Sequence, residues 1–166
     1  MEWKAPGNHI TGFTVAHSTE MTRSFIYSLD SIHTVVGEIA PCIQAGDVIT
    51  LRGDLGAGKT TFARALIQHL MGEPVEVLSP TFTLVQPYDA PECTIWHFDL
   101  YRLASAEEVV EIGFQEALDT GVSIIEWPEI IEYILPAERL DIHFTHAKGE
   151  MRHVTLKGTG KWERVK

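Results

Sequence analysis

At 166 residues, with 45% hydrophobic and 22% charged side chains, the chain has the length and composition of one soluble domain with a core of its own. Its formal net charge of -10 sets it against gripping a nucleic-acid backbone unaided, because an acidic surface repels phosphate; chemistry on RNA would need a partner to hold the RNA. Apolar runs are short and broken by charge, the opening residues Glu2, Lys4 and Pro6 form no secretory pattern, and Cys42 and Cys93 are too far apart for a metal-ligand pair, so a reduced, cytoplasmic protein with no membrane segment is expected.

Residues 1–21 mix Gly, Pro, His and Thr without a period and are expected to form a disordered extension, with Met21 an alternative start; residues 22–166 form the domain. Ser24 to Leu29 reads as a first strand. Asp30 or Ser31 can cap a helix whose apolar face is Ile32, Val35, Val36, Ile39 and Ile43. Val48 to Leu51 is a β-branched run and therefore a buried strand. A glycine-rich loop follows, then a helix with Phe62, Ala63, Leu66, Ile67 and Leu70 inward and Gly72 to stop it. Thr83–Tyr88 and Thr94–Asp99, joined by Asp89-Ala90-Pro91-Glu92, predict an antiparallel hairpin. Ser105 with Glu108 makes a capping box for the next helix. Val122 to Trp127 is a second buried run, Pro128 opens a short helix, and Leu140–Thr145 with His153–Leu156 close the chain as a strand pair. Hairpins among crossovers predict an α/β domain with a mixed sheet.

Gly53-Asp54-Leu55-Gly56-Ala57-Gly58-Lys59-Thr60 fits G-x-x-x-x-G-K-[ST], the phosphate-binding loop. Glycines admit positive φ and remove the Cβ that would block a phosphate, so the loop amides converge on its oxygens at a helix N-terminus. Lys59 supplies a point charge to the outer phosphates, and the Thr60 hydroxyl is a hard ligand for Mg2+. The strand before and the amphipathic helix after give the motif its required context, and Thr61 closes the stretch from Gly53 expected to bind the nucleotide. Such a site also needs an acid at the end of a neighbouring buried strand. Glu126 and Asp99 both close such runs; Glu126 is favoured for the metal, and Asp99 for the attacking water or an outer-sphere magnesium contact.

Four blocks together are more specific than the loop alone: Arg52 to Phe62, Ser79-Pro80-Thr81-Phe82-Thr83-Leu84-Val85, His97-Phe98-Asp99-Leu100-Tyr101-Arg102-Leu103, and Ile125-Glu126-Trp127-Pro128-Glu129. In this order they resemble the TsaE family, the ATPase of bacterial tRNA threonylcarbamoyladenosine biosynthesis, from about Ser24 to about Gly158. The resemblance implies a P-loop NTPase-like three-layer sandwich whose mixed sheet contains antiparallel strands. It implies ATP and Mg2+ as cofactors, with Ser79–Thr83 and His97–Arg102 as two switch segments, the first placing Thr81 near the γ-phosphate. It implies Glu126 as the magnesium acid, Trp127 beside the nucleotide and Arg152 as a nucleotide contact. It further implies work with TsaB and TsaD partners in modifying adenosine 37 of tRNA, without strong nucleic-acid binding by this chain.

Other features read more plainly. His143 and His146 have an H-x-x-H spacing, but on a strand they face opposite sides and make no metal site. His97 is expected to support the Asp99 strand end. Arg102 is either a surface charge or a group stabilising transition-state charge, and its neighbours Tyr101 and Leu103 suggest that packing holds it. The rival function is a stand-alone small-molecule kinase on the same fold. Against it, Arg139, Lys148 and Arg152 form no basic lid cluster after Glu126.

Overall fold

The buried run around Ile49 becomes the middle of the sheet. In the computed structural model, which describes residues 13–14 and 21–164, β3 (Val48–Arg52) lies between β6 (Val122–Glu126) and β7 (Leu140–His146) and is parallel to both. β5 (Thr94–Asp99) continues the parallel centre beside β6. Antiparallel strands extend it on both sides. β4 (Val85–Asp89) pairs with β5 as the expected hairpin, while β8 (Arg152–Gly158) pairs with β7, β2 (Met21–Tyr27) with β8, and β1 (Phe13–Thr14) with β2. The strand order is β1-β2-β8-β7-β3-β6-β5-β4.

Period-two alternation gives the central strands two buried faces, as parallel strands require. Ile49, Leu51, Ile95, Val122 and Ile124 join one core, beneath α1 (Ile32–Ile39) and α2 (Lys59–Met71). Val48, Phe98 and Ile125 join the other, beneath α3 (Glu107–Glu111) and α4 (Phe114–Thr120). Helices on both faces make the three-layer α/β sandwich with a mixed sheet. β3, β5 and β6 all end at one edge, which brings residue 53, Asp99 and Glu126 together. No helix among the described residues is long and apolar enough to cross a membrane.

Local chemistry moves several expected boundaries. The first strand begins at Met21, not Ser24, and stops at Tyr27; Leu29 is exposed in a 3-10 turn where Ser31 turns its hydroxyl back to Ser28 instead of capping α1. β4 starts at Val85, not Thr83, because Leu84 adopts φ 67 and its N–H closes a turn on the Pro80 carbonyl. Glu108 accepts from the N–H groups of Ala104 and Ser105, the acidic half of the expected capping box, but the helix then divides into α3 and α4 at Gly113, φ 90. Of the expected extension, Phe13–Thr14 forms the edge strand β1, and residues 1–12 and 15–20 lie outside the described residues.

The tail also carries an anchor that periodicity did not reveal. In the 3-10 turn Gly160–Arg164, Trp162 is completely buried, and Lys161 reaches Asp47 at 2.5 Å. Gly158 makes room for it, since a Cβ there would come within 2.6 Å of the Trp162 Cβ. Trp162→Ala should lower stability by about 3–5 kcal/mol, the usual cost of deleting a buried aromatic. A urea midpoint unchanged from wild type would show that the tail packs without consequence.

Candidate functional site

The glycine-rich loop adopts the conformation its composition permits. Gly53, Gly56 and Gly58 have φ of 140, 77 and 110, values a side chain would resist. At Gly53 the need is doubled, because a Cβ would sit 2.5 Å from the Phe144 carbonyl oxygen on β7. Between them Asp54 accepts the Ala57 N–H at 3.0 Å, Ala57 is buried, and Leu55 stands out into solvent. Gly58 leads directly into α2, so the loop amides and the positive end of a helix dipole share one concavity.

Lys59 is folded back over this concavity. It is 4% exposed, its Nζ donates to the carbonyls of Gly53 at 2.6 Å and Asp54 at 2.8 Å, and it lies 3.9 Å from the centre of the Trp127 ring. Trp127 reaches that position through a left-handed backbone, φ 56, immediately before the 3-10 segment Pro128–Ile134. Burial lowers the Lys59 ammonium below the usual lysine range, opposed by the negative charges of Glu126, Glu129, Asp99 and Asp54.

The two acids are deeply buried and engaged differently. Glu126, 1% exposed, accepts from the Thr60 hydroxyl through Oε2 at 2.8 Å, and its Oε1 lies 2.7 Å from His97 Nε2. Asp99 accepts from the Thr81 hydroxyl through Oδ2 at 3.0 Å and from the Tyr101 N–H through Oδ1 at 3.1 Å. Ser79 bonds Thr81 at 2.8 Å within the first switch-like segment, and the Thr81–Asp99 contact ties that segment to the second. Thr60 and Glu126 present two hard oxygens side by side at the loop, with the Asp99 carboxylate in the same cleft, a donor set that fits magnesium. Among the described residues no group of three or more His, Cys, Asp or Glu is placed to hold a metal ion together.

Of the residues singled out from sequence, Leu55, Gly56, Gly58, Lys59, Thr60, Thr61, Thr81, Asp99, Glu126 and Trp127 line one cleft. Gly53, Asp54 and Ala57 shape the loop without lining it. Arg152 also stands outside the cleft. Its stem packs behind Gly58, and its Nη1 donates to the carbonyls of Glu150 and Met151, both at 3.2 Å. Arg102 lies over the exposed Phe82 ring at 4.5 Å, joining the two switch-like segments. Tyr101 was missed as a site residue: its ring meets Trp127 at 4.9 Å, and its position two residues after Asp99 was the available signal.

Residues 26–154 match the model of the family described as "Threonylcarbamoyl adenosine biosynthesis protein TsaE". Proteins named "tRNA threonylcarbamoyladenosine biosynthesis protein TsaE" align from several bacteria. The Rickettsia bellii protein is 39% identical over 78% of this chain and 83% of its own length. The Rickettsia felis protein is 46% identical over 63% of this chain, which spans only 61% of that relative. The Bacillus subtilis protein is 40% identical over 70% of this chain and 73% of its own length. A crystal structure of Bacillus subtilis YdiB superposes with a TM-score of 0.72 at 30% identity, covering 90% of this chain and 94% of that one.

The state of Lys59 makes a prediction about pH. Because burial disfavours the ammonium, its pKa in the folded chain lies below that in the unfolded chain. Between the two values the unfolded chain binds more protons, so stability rises with pH across that window. The cost of the buried charge is fully present below the native pKa and gone above the ordinary lysine value. In urea unfolding at steps from about pH 7 to about pH 10, the wild type should gain stability relative to Lys59→Met. A difference that stays constant over that range would mean that the ammonium is not desolvated.

Proposed function

We propose, because the chain belongs to the TsaE family, that it is a magnesium-dependent ATPase serving threonylcarbamoylation of adenosine 37 in tRNA, together with TsaB- and TsaD-like proteins. The observation that carries the enzymatic part is the contact between the Thr60 hydroxyl and Glu126, within one cleft with Lys59 and Asp99. A phosphate-binding loop alone would suit a passive nucleotide sensor. A hydroxyl and a buried carboxylate converging beside it, with a second carboxylate facing them, suit hydrolysis.

Each side chain then has a task. The amides of residues 53–58 and the positive end of α2 receive phosphate oxygens. Lys59 leaves the Gly53 and Asp54 carbonyls for the outer phosphates, exchanging neutral acceptors for charged ones. Thr60 and Glu126 would hold magnesium, which when bound neutralises charge on the transferring phosphoryl group. Asp99, fixed by the Tyr101 N–H, orients the water that attacks the γ-phosphorus. Thr81 bonds Asp99 through its side chain and so couples the first switch-like segment to that water.

The same geometry supports slow turnover by the isolated chain. Among the described residues Lys59 is the one cation lining the cleft, since Arg102 is occupied by Phe82 and Arg152 stands behind Gly58. A further positive charge at the transferring phosphoryl group is worth about a thousandfold or more in rate. Partners that supply it, or that redirect Arg102, would couple hydrolysis to assembly, while the acidic chain leaves the tRNA to them.

Two measurements test this reading. Lys59→Ala should lose ATP binding in isothermal titration, whereas Glu126→Ala should retain most of it and lose hydrolysis by a hundredfold or more, on the order of other metal-ligand losses. Unchanged phosphate release in the Glu126 variant would remove that residue from the site. Steady-state phosphate release should rise when the TsaB- and TsaD-like proteins are added. Equal rates with binding separately confirmed, or a phosphorylated small-molecule product, would favour the stand-alone kinase.

A further inference from the structure

The cluster around Glu126 contains a polar side chain to which the proposed reaction gives no task. His97 is fully buried on β5, and its Nε2 lies 2.7 Å from Glu126 Oε1. Its other ring nitrogen, Nδ1, has no hydrogen-bond partner among the described residues. The sequence reading cast this histidine as support for the Asp99 strand end, but its side chain meets Glu126 instead. Register explains the meeting: His97 pairs across the ladder with Ile124, two residues before Glu126, so both side chains project from the same face of the sheet toward α2.

A fully buried imidazole with one vacant nitrogen is a costly way to fill a strand position that valine or isoleucine would pack without penalty. What it provides is a donor. A carboxylate only accepts hydrogen bonds, so Nε2 carries the hydrogen in this contact. With Oε1 held by His97 and Oε2 by Thr60, the Glu126 side chain is fixed at both oxygens. Without His97, Oε1 would be a buried acceptor free to turn away from the loop.

We propose that His97 is a positioning residue: by donating to Oε1 it presents Oε2 of Glu126 to Thr60 and to the divalent cation beside it. The inference rests on the reading that Glu126 holds magnesium. Partners that orient a ligating carboxylate change metal affinity by about 10–100-fold when removed.

The test is isothermal titration of a non-hydrolysable ATP analogue at stepped magnesium concentrations and in EDTA. It uses the wild type, His97→Phe, His97→Gln, His97→Asn and, as a control on the underlying reading, Glu126→Ala. His97→Phe keeps the ring and removes the donor, and it should raise the magnesium midpoint about tenfold or more. His97→Gln can place an amide donor near the Nε2 position and should stay within about threefold of wild type, whereas the shorter His97→Asn should follow Phe. Affinity in EDTA should be alike in all the His97 variants. A wild-type midpoint in the Phe and Asn variants overturns the proposal, and so does an equal loss of affinity with and without magnesium, the mark of a purely structural role. Should the Phe variant fail to melt cooperatively, the Gln–Asn contrast decides, and equal midpoints there overturn it. A wild-type magnesium dependence in Glu126→Ala would instead bring down the metal reading itself.

Discussion

A carboxylate buried in a protein interior is costly unless its oxygens are occupied, and Glu126 meets that condition from two directions. One partner, His97, comes from the adjacent parallel strand; the other, Thr60, comes from the first turn of α2. Meeting both requires β5 and β6 to be in one register and α2 to lie over that face of the sheet. The same register sets Asp99 opposite Glu126, and the pairing of β3 with β6 sets Leu51 opposite it, just before the glycine-rich loop. One satisfied acid thus fixes the relative positions of loop, helix and second acid.

The rest of the molecule keeps that arrangement still. The antiparallel flank β8–β7 backs the loop, with Phe144 packed edge-on against Phe62 of α2 at 5.3 Å and its carbonyl set against Gly53. On the other side, the segment after Trp127 is fastened by charge. Glu132 takes Arg52 at 2.5 Å and Arg139 at 2.7 Å, and Asp141 on β7 shares both arginines. Each pair is partly exposed and individually modest, but both arginines touch both acids, and a shared network orders each side chain once for two contacts. By contrast, the mouth of the cleft is soft in composition, with Leu55, Phe82 and Tyr101 exposed.

What was legible in the sequence follows from how local its cause is. The loop from Gly53 to Thr60 is specified by backbone freedom within eight residues, and Glu126 and Asp99 stand out because each closes a β-branched or aromatic run. The mixed sheet was legible because the 89–92 connection is too short for a crossover. What the sequence left out has non-local or conformational causes. Val85 begins its strand late because Leu84 turns left-handed, which nothing in leucine announces. Trp162 is buried by residues far back in the chain, and Arg152 comes behind Gly58 through the pairing of β8 with β7, which lies beside β3. His97 was seen, but its partner was not, because that contact crosses from one strand to the next.

The central position of β3 has a consequence for the order in which the molecule is made. Its two neighbours, β6 and β7, lie about seventy and ninety residues later in the chain, and the carbonyl that Gly53 backs onto belongs to Phe144. A nascent chain leaving the ribosome exposes the loop long before either neighbouring strand exists. Contacts of such long sequence separation form late and slowly, since the intervening chain must be closed first. The conformation of the glycine-rich loop is therefore a property of the nearly finished polypeptide, and a fragment ending before β7 lacks the wall on which the first glycine of the loop is built.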